Sequence, residues 1–244
     1  MSNKLQGKSP GYYAWLRLRR NKLALGGIIF IGITIIVAIL GPLILPDPSR
    51  NANNMMLEIE MKKPGFSVQV LRVKKNGTPP NNNIFKTLWQ GKTLPYRDIP
   101  IQDFQFEDDE VVFYRYLGAE GKKGDPESIR LADVCFALAA DDPKYRFEDG
   151  KVSFLDYNGE RQSYQINELR EKVKSGHMEQ RTYWLGTDRF GRDLLSRLLL
   201  GTRISLTVGL IAVGIALFVG ITIGALGGFF RGWVDDVVIW LINV

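Results

Sequence analysis

Cysteine and histidine are nearly absent: 244 residues contain one of each, Cys135 and His177. A single cysteine excludes an intramolecular disulfide and a cysteine-rich zinc site. A Cys–His nucleophile pair would need these two side chains, about forty positions apart, to meet in space. A buried thiol and a surface imidazole are the plainer expectation. The chain has no phosphate-binding loop, so any ATP it uses must be hydrolysed by a partner. The acidic run "EDDE" at residues 107–110 lacks calcium-loop spacing and reads as a solvated edge. Neither a catalytic constellation nor a metal or cofactor site emerges, and the chain is not expected to be an enzyme.

Acidic residues are missing from the first 22 positions, where Lys4, Lys8, Arg17, Arg19, Arg20 and Lys22 account for the whole formal charge of +6. The remainder is balanced, so the basic character argues for a membrane-flanking anchor beside anionic lipid and not for nucleic-acid binding, which needs a basic face on a folded domain. Charge of either sign is missing from residues 23–45 and 204–230. Both runs exceed the ~20 residues that carry a helix across a bilayer. In the first, fifteen positions are Leu, Ile, Val or Phe, worth roughly −5 to −9 kcal/mol of insertion free energy. It is too long for a signal-peptide core and ends in no A-x-A-like site, so it reads as an uncleaved transmembrane helix.

The charge asymmetry puts residues 1–22 in the cytoplasm. Four arginines, Arg189, Arg192, Arg197 and Arg203, precede the second span while only Arg231 follows closely, which taken alone would start that span inside. That would require a further crossing between Pro46 and Arg203, where the longest uncharged candidate, "VCFALAA" at 134–140, is far too short. Span two is therefore expected to run from outside to inside, with a cytoplasmic turn at 231–236. Residues 237–244 begin a third apolar run only eight residues long, so the chain is expected to be a fragment or a truncated product.

Between the spans, residues 46–182 read as an extracytoplasmic α+β domain. "YRFEDGKVSFLDYNGERQSYQI" gives three short strands joined at Asp149-Gly150 and Asn158-Gly159. "FSVQVLRV" and "EVVFYRYLG" alternate like further strands, "NGTPPNNN" reads as a loop, and "NELREKVKSG" offers Asn167 as a helix cap and Gly176 as a stop. Residues 183–203 are predicted to form an amphipathic interfacial helix, capped by Thr187 or Asp188 and ended by Gly201. On it the pairs Asp188/Arg192, Arg189/Asp193 and Asp193/Arg197 stand one turn apart. Within span two, Ala212, Ala216, Gly220, Gly224 and Gly228 recur at every fourth position. Such a bare stripe suits close packing against another helix in lipid.

The run "LGTDRFGRDLLSRLLLGTRISLTVG", continuing into "GGFFRGWVDD", resembles the C-type membrane subunit of bacterial dipeptide and oligopeptide ABC importers, including nickel-importing relatives. "WLRLRRNKLALGGIIFI" followed by "GPLI" is similar to that subunit's first span. The resemblance implies an α-helical membrane protein of the type I ABC importer permease fold, truncated, with an inserted extracytoplasmic α+β domain. It implies a multi-pass protein of the bacterial inner membrane that works by alternating access. Its expected partners are the lipid bilayer, a homologous B-type permease subunit, two cytoplasmic ATPase subunits and an extracytoplasmic solute-binding protein. Gly186, Thr187, Asp188, Gly191, Arg192 and Asp193 would form an external elbow before span two. Two departures stand out: the family's cytoplasmic coupling loop would lie beyond Val244, and the external segment after span one, usually short, is a whole domain here. A membrane-anchored ligand-binding or sensor protein is the alternative. The cargo is not legible in the sequence.

Overall fold

Local caps decide where the long helices begin. The computed structural model describes residues 10–78, 80–118, 123–138, 145–230 and 232–243; Lys4, Lys8, Pro79, Ala139, Ala140, Arg231 and Val244 lie outside them. The chain divides into two compact units, one holding the segment up to Ala38 and that from Gly201 onward, the other Ile39–Leu200. Helix α1 (Pro10–Arg20) ends on Arg17, Arg19 and Arg20, cations that suit the negative end of a helix dipole. Asn21 follows, and its Oδ1 accepts the amides of Leu23 and Ala24, both at 3.2 Å. These bonds cap α2 (Lys22–Ile44), which covers the first apolar run.

Helix α6 (Leu194–Phe230) has 37 residues, roughly 55 Å at 1.5 Å per residue. The expected separate interfacial helix over 183–203 is not what forms. Residues 184–193 are loop, and a single helix begins at Leu194 and passes through Gly201 without a break. Asp193 is its cap: the carboxylate accepts the Ser196 amide at 2.9 Å, while Thr187 and Asp188 are committed elsewhere. Gly201 does not stop it, because an interior glycine costs only about 1 kcal/mol and good helix formers flank it. Helix α7 (Trp233–Asn243) starts ahead of the apolar run at 237, with Asp235 and Asp236 in its first turn. A side chain at Gly227 would stand 3.4 Å from Val238, so α6 and α7 approach closely there. The apolar windows of α2 and α6 are 6% and 0% buried, so neither packs into a core formed by the described residues. Together with the relatives described below, these helices place the protein in a membrane.

The second unit is built on sheets. β1 (Phe66–Lys74), β2 (Tyr96–Glu107), β3 (Glu110–Tyr116), β4 (Lys123–Arg130) and β8 (Met178–Tyr183) form one antiparallel sheet in the order β4-β3-β2-β1-β8. β5 (Arg146–Glu148), β6 (Lys151–Leu155) and β7 (Arg161–Gln165) form a second, the hairpins turning at Asp149-Gly150 and through Asn158-Gly159. Alternation exposes β1, β3 and the β5–β7 hairpins in the sequence. It does not expose β4, an edge strand containing Pro126, which tolerates a missing amide. The core joins both sheets through Leu71, Ile99, Phe113, Val152 and Phe154. Short helices α4 (Leu131–Cys135) and α5 (Ile166–Lys172) add Leu131, Val134 and Leu169. α5 is preceded by Gln165 and not capped by Asn167, because the chain leaves β7 directly into the helix; it passes through a π-turn, Val173–His177, that includes the expected stop at Gly176.

Cys135 belongs to this core, where burial pushes its thiol up to about 11. His177 Nδ1 lies 2.7 Å from the Arg72 carbonyl and its ring meets Tyr96 edge-on; burial lowers its pKa and keeps it neutral. Both features oppose a thiolate–imidazolium pair. The acidic run is a hairpin tip: Asp109 accepts the Tyr145 hydroxyl, and its carbonyl accepts the Leu131 amide at 2.8 Å. Phe154 is fully buried, whereas Phe147 on β5 is 40% exposed. Phe154→Ala should therefore cost about 3–5 kcal/mol of domain stability. Phe147→Ala should change it by less than about 0.5 kcal/mol, as read by denaturant unfolding of the detergent-solubilised protein.

Candidate functional site

Two glycines in the left-handed region make the site possible. Gly186 (φ 77°) and Gly191 (φ 68°) bring the loop before α6 onto the chain that leaves α2. A Cβ on Gly186 would lie 2.2 Å from the Lys62 carbonyl oxygen, and one on Gly191 only 1.7 Å from that of Met56. No side chain fits at either position.

Polar groups then lace the two segments together. The Thr187 hydroxyl donates to the Ile59 carbonyl and accepts the Lys62 amide at 2.9 Å, while the Thr187 amide donates to the Lys62 carbonyl at 3.1 Å. The Met61 amide donates to the Asp188 carbonyl at 3.0 Å. The Ser196 hydroxyl, bonded to Asp193, accepts the Asp47 amide at 3.0 Å, which ties the start of α6 to the exit of α2. Thr187, Asp193 and Ser196 are all buried.

Asp188 is the charged hub. Its Oδ1 accepts the amides of Phe190 and Arg192, at 2.9 and 3.1 Å, and its Oδ2 accepts Arg192 Nε at 2.9 Å and Arg197 Nη1 at 3.1 Å. Burial works to raise its carboxyl, but the Arg192 and Phe190 hydrogen bonds and the Arg192 charge prevail and hold it below the ordinary carboxylate range. Arg192 Nη1 reaches on to Asn53 Oδ1 at 2.8 Å. The expected Asp188/Arg192 pair therefore forms, in a loop instead of on a helix. Asp193 turns to Ser196, and Arg197 goes to Asp188.

The six elbow residues Gly186, Thr187, Asp188, Gly191, Arg192 and Asp193 are thus brought together. The stripe residues Ala212, Ala216, Gly220, Gly224 and Gly228 lie exposed along α6, with open space where a Cβ at each of the three glycines would stand. A shallow apolar groove runs beside Ala216 and Gly220, walled by Val213, Leu217 and Ile221. The glycine in close contact is Gly227, one position off the stripe.

Sequence reasoning missed the receiving half of this lock: Asn53, Met56, Ile59 and Lys62. They contribute mostly backbone carbonyls and amides, which leave no residue-type signal. It also missed a neighbouring cluster. Arg181 Nη1 donates to Asp98 at 2.8 Å, Asn54 Nδ2 donates to the same carboxylate at 2.7 Å, and Arg72 pairs with Glu179. Burial works against the Arg181 charge, yet Asp98 and Glu179 raise its pKa. Asp47, Asn54, Asp98, Arg181 and Asp193 line a small cleft here together with apolar groups of Pro46, Pro48, Met56 and Leu94. Burial pushes the Tyr183 phenol up to about 12 against the pull of Arg181.

The domain closes on itself at this lock. The Gly65 amide donates to the Tyr183 carbonyl at 2.9 Å, and the Gly186 amide shares that acceptor at 3.0 Å. Residues 65 and 183 are thus neighbours in space, although the two sheets lie between them in the chain. Gly191→Ala should lose at least roughly 2 kcal/mol from left-handed strain and the Met56 clash, lowering the Tm by about 4 °C or more. Gly201→Ala, with open space around it, should leave the Tm unchanged or raise it slightly.

Residues 9–64 match the family model described as the N-terminal TM domain of oligopeptide transport permease C. The glutathione transport system permease protein GsiD of Pectobacterium atrosepticum is 38% identical over 81 residues, 33% of this chain and 25% of that protein. The dipeptide transport system permease protein DppC of Haemophilus influenzae is 44% identical over 62 residues, 25% of this chain and 21% of that protein. The oligopeptide transport system permease protein OppC of Mycobacterium tuberculosis is 36% identical over 62 residues, with the same coverage of 25% and 21%. The matched stretch thus spans a quarter or less of the length of these relatives. No solved structure matches the chain significantly. Residues 9–64 are thus similar to the N-terminal region of C-type peptide-transport permeases.

Proposed function

We propose that the chain contributes to the membrane-embedded half of an ATP-driven importer for dipeptides or oligopeptides, working by alternating access. The observation that carries this reading is the lock between residues 53–62 and 186–197. The first stretch lies inside the family match at 9–64, and the second is the motif that resembles the same family about 120 residues further on. Their hydrogen bonds reunite two pieces of one permease region across an intervening domain. The proposed partners are a homologous B-type permease subunit, two cytoplasmic ATPases and an extracytoplasmic solute-binding protein. ATP chemistry belongs to the ATPases.

The proposed setting is the bacterial inner membrane with residues 1–22 in the cytoplasm, the basic flank before α2 supporting that orientation. The elbow at Gly186, Thr187, Asp188, Gly191, Arg192 and Asp193 sets the start of α6. The seam of Ala212, Ala216, Gly220, Gly224 and Gly228 is the surface offered to the second permease subunit, its open groove being the supporting feature. The inserted domain is best drawn from Gly65 to Tyr183, and residues 46–64 are assigned to the permease. The end of the family match at residue 64 and the Gly65–Tyr183 hydrogen bond support this proposed boundary over the expected 46–182.

Purification of the protein from its native membrane in mild detergent should recover a second permease chain and two ATPase chains. Gly220→Leu with Gly224→Leu should abolish recovery of the second permease chain. A protein that purifies alone, or a double variant that keeps its companions, contradicts the importer reading and favours a membrane-anchored sensor. Replacing residues 66–182 with a two-residue linker should preserve that assembly, because Gly65 and Tyr183 already touch. Loss of assembly on excision would show that the sheets are integral to the permease and not an insertion.

A further inference from the structure

Helix α3 (Ile84–Gln90) buries very little of itself: Thr87 is 2% exposed, while Ile84, Phe85 and Trp89 are 65%, 81% and 76% exposed. Among the described residues, these three side chains lie outside both buried clusters of the sheet domain. The helix is nevertheless held at both ends. Asn82 exchanges two hydrogen bonds with the Thr93 backbone, both 3.1 Å, closing the loop at its base. At the far end the Lys92 amide donates to the Pro48 carbonyl at 2.8 Å. A Cβ on Gly91 (φ 80°) would stand 2.8 Å from Arg50 Cα, so the backbones touch.

The place of that attachment matters. Asp47 is the first charge after the uncharged run of α2, and Arg50 follows three residues later, at most about 10 Å of extended chain. A bilayer's polar layer is itself roughly 5–8 Å deep on each side of the hydrocarbon. The α3 loop is therefore tethered to the chain a few residues after the end of α2. Its charge is of one sign: from Lys75 to Pro95 the chain carries Lys75, Lys86 and Lys92 and no acidic residue. Exposed aromatic and aliphatic groups, flanking lysines and a tether close to the end of an apolar helix of spanning length are the components of an interfacial membrane anchor.

We propose that α3 is a membrane-surface anchor, seating Ile84, Phe85 and Trp89 among the headgroups of anionic phospholipid beside the exit of α2. The inference rests on the membrane location alone and is independent of the importer reading. It would bind the sheet domain to the bilayer at a second point besides its chain connections.

The test places a nitroxide on Phe85→Cys in the whole protein, reconstituted in vesicles containing phosphatidylglycerol. Cys135 is buried with its thiol pushed up, so the unsubstituted protein serves as the unlabelled control. Collision with dissolved oxygen should exceed collision with a water-soluble nickel chelate by roughly threefold or more, as for a site in the interface. A label at Tyr157→Cys, on the β6–β7 turn, should show the reverse preference. Lys86→Glu with Lys92→Glu should remove the oxygen preference at position 85. A label at 85 that prefers the nickel chelate overturns the proposal. A label shielded from both reagents also overturns it, since a protein surface then covers α3. An unchanged preference in the double glutamate variant overturns the assignment to anionic lipid.

Discussion

The Thr187 hydroxyl, held between the Ile59 carbonyl and the Lys62 amide, is the contact around which the second unit is organised. It works only because Gly186 and Gly191 let two backbones approach to a distance no side chain would permit. Once they meet, Asp188 gathers Arg192 and Arg197, Asp193 caps α6 and Ser196 reaches the Asp47 amide. Thr187, Asp193 and Ser196 are buried, so each of these groups left without its partner would carry a desolvation cost. The motif is therefore a joint. Its conspicuous charges reinforce an arrangement that the glycines and the threonine make possible.

Legibility in the sequence followed the physics of each signal. The two apolar runs are long and free of charge, and both became helices of spanning length. The hairpins at Asp149-Gly150 and Asn158-Gly159 follow from dipeptides that accept positive φ. Charges recurring at four-residue spacing around residue 188 suggest a helix. That spacing equally suits an Asx-turn in which Asp188 accepts the amides at 190 and 192. Gly201 looked like a stop, yet a glycine ends a helix only when the chain beyond it has another place to go. The receiving carbonyls at Met56, Ile59 and Lys62 left no trace, since every residue type has a carbonyl.

Helix α6 runs from the joint through the apolar run as one continuous helix of 37 residues. Its fourfold run of small residues leaves a groove on one side, while Gly227 brings it against Val238 at the far end. The same helix thus shows one close contact already made and one face still bare.

The bond from the Gly65 amide to the Tyr183 carbonyl has a consequence for ancestry. In the proposed insertion the entry residue hydrogen-bonds the exit residue, an arrangement in which a gene can acquire or discard the module without rerouting the polypeptide on either side. Loops and surface of the module away from residues 46–64 can then vary at little hazard to the joint.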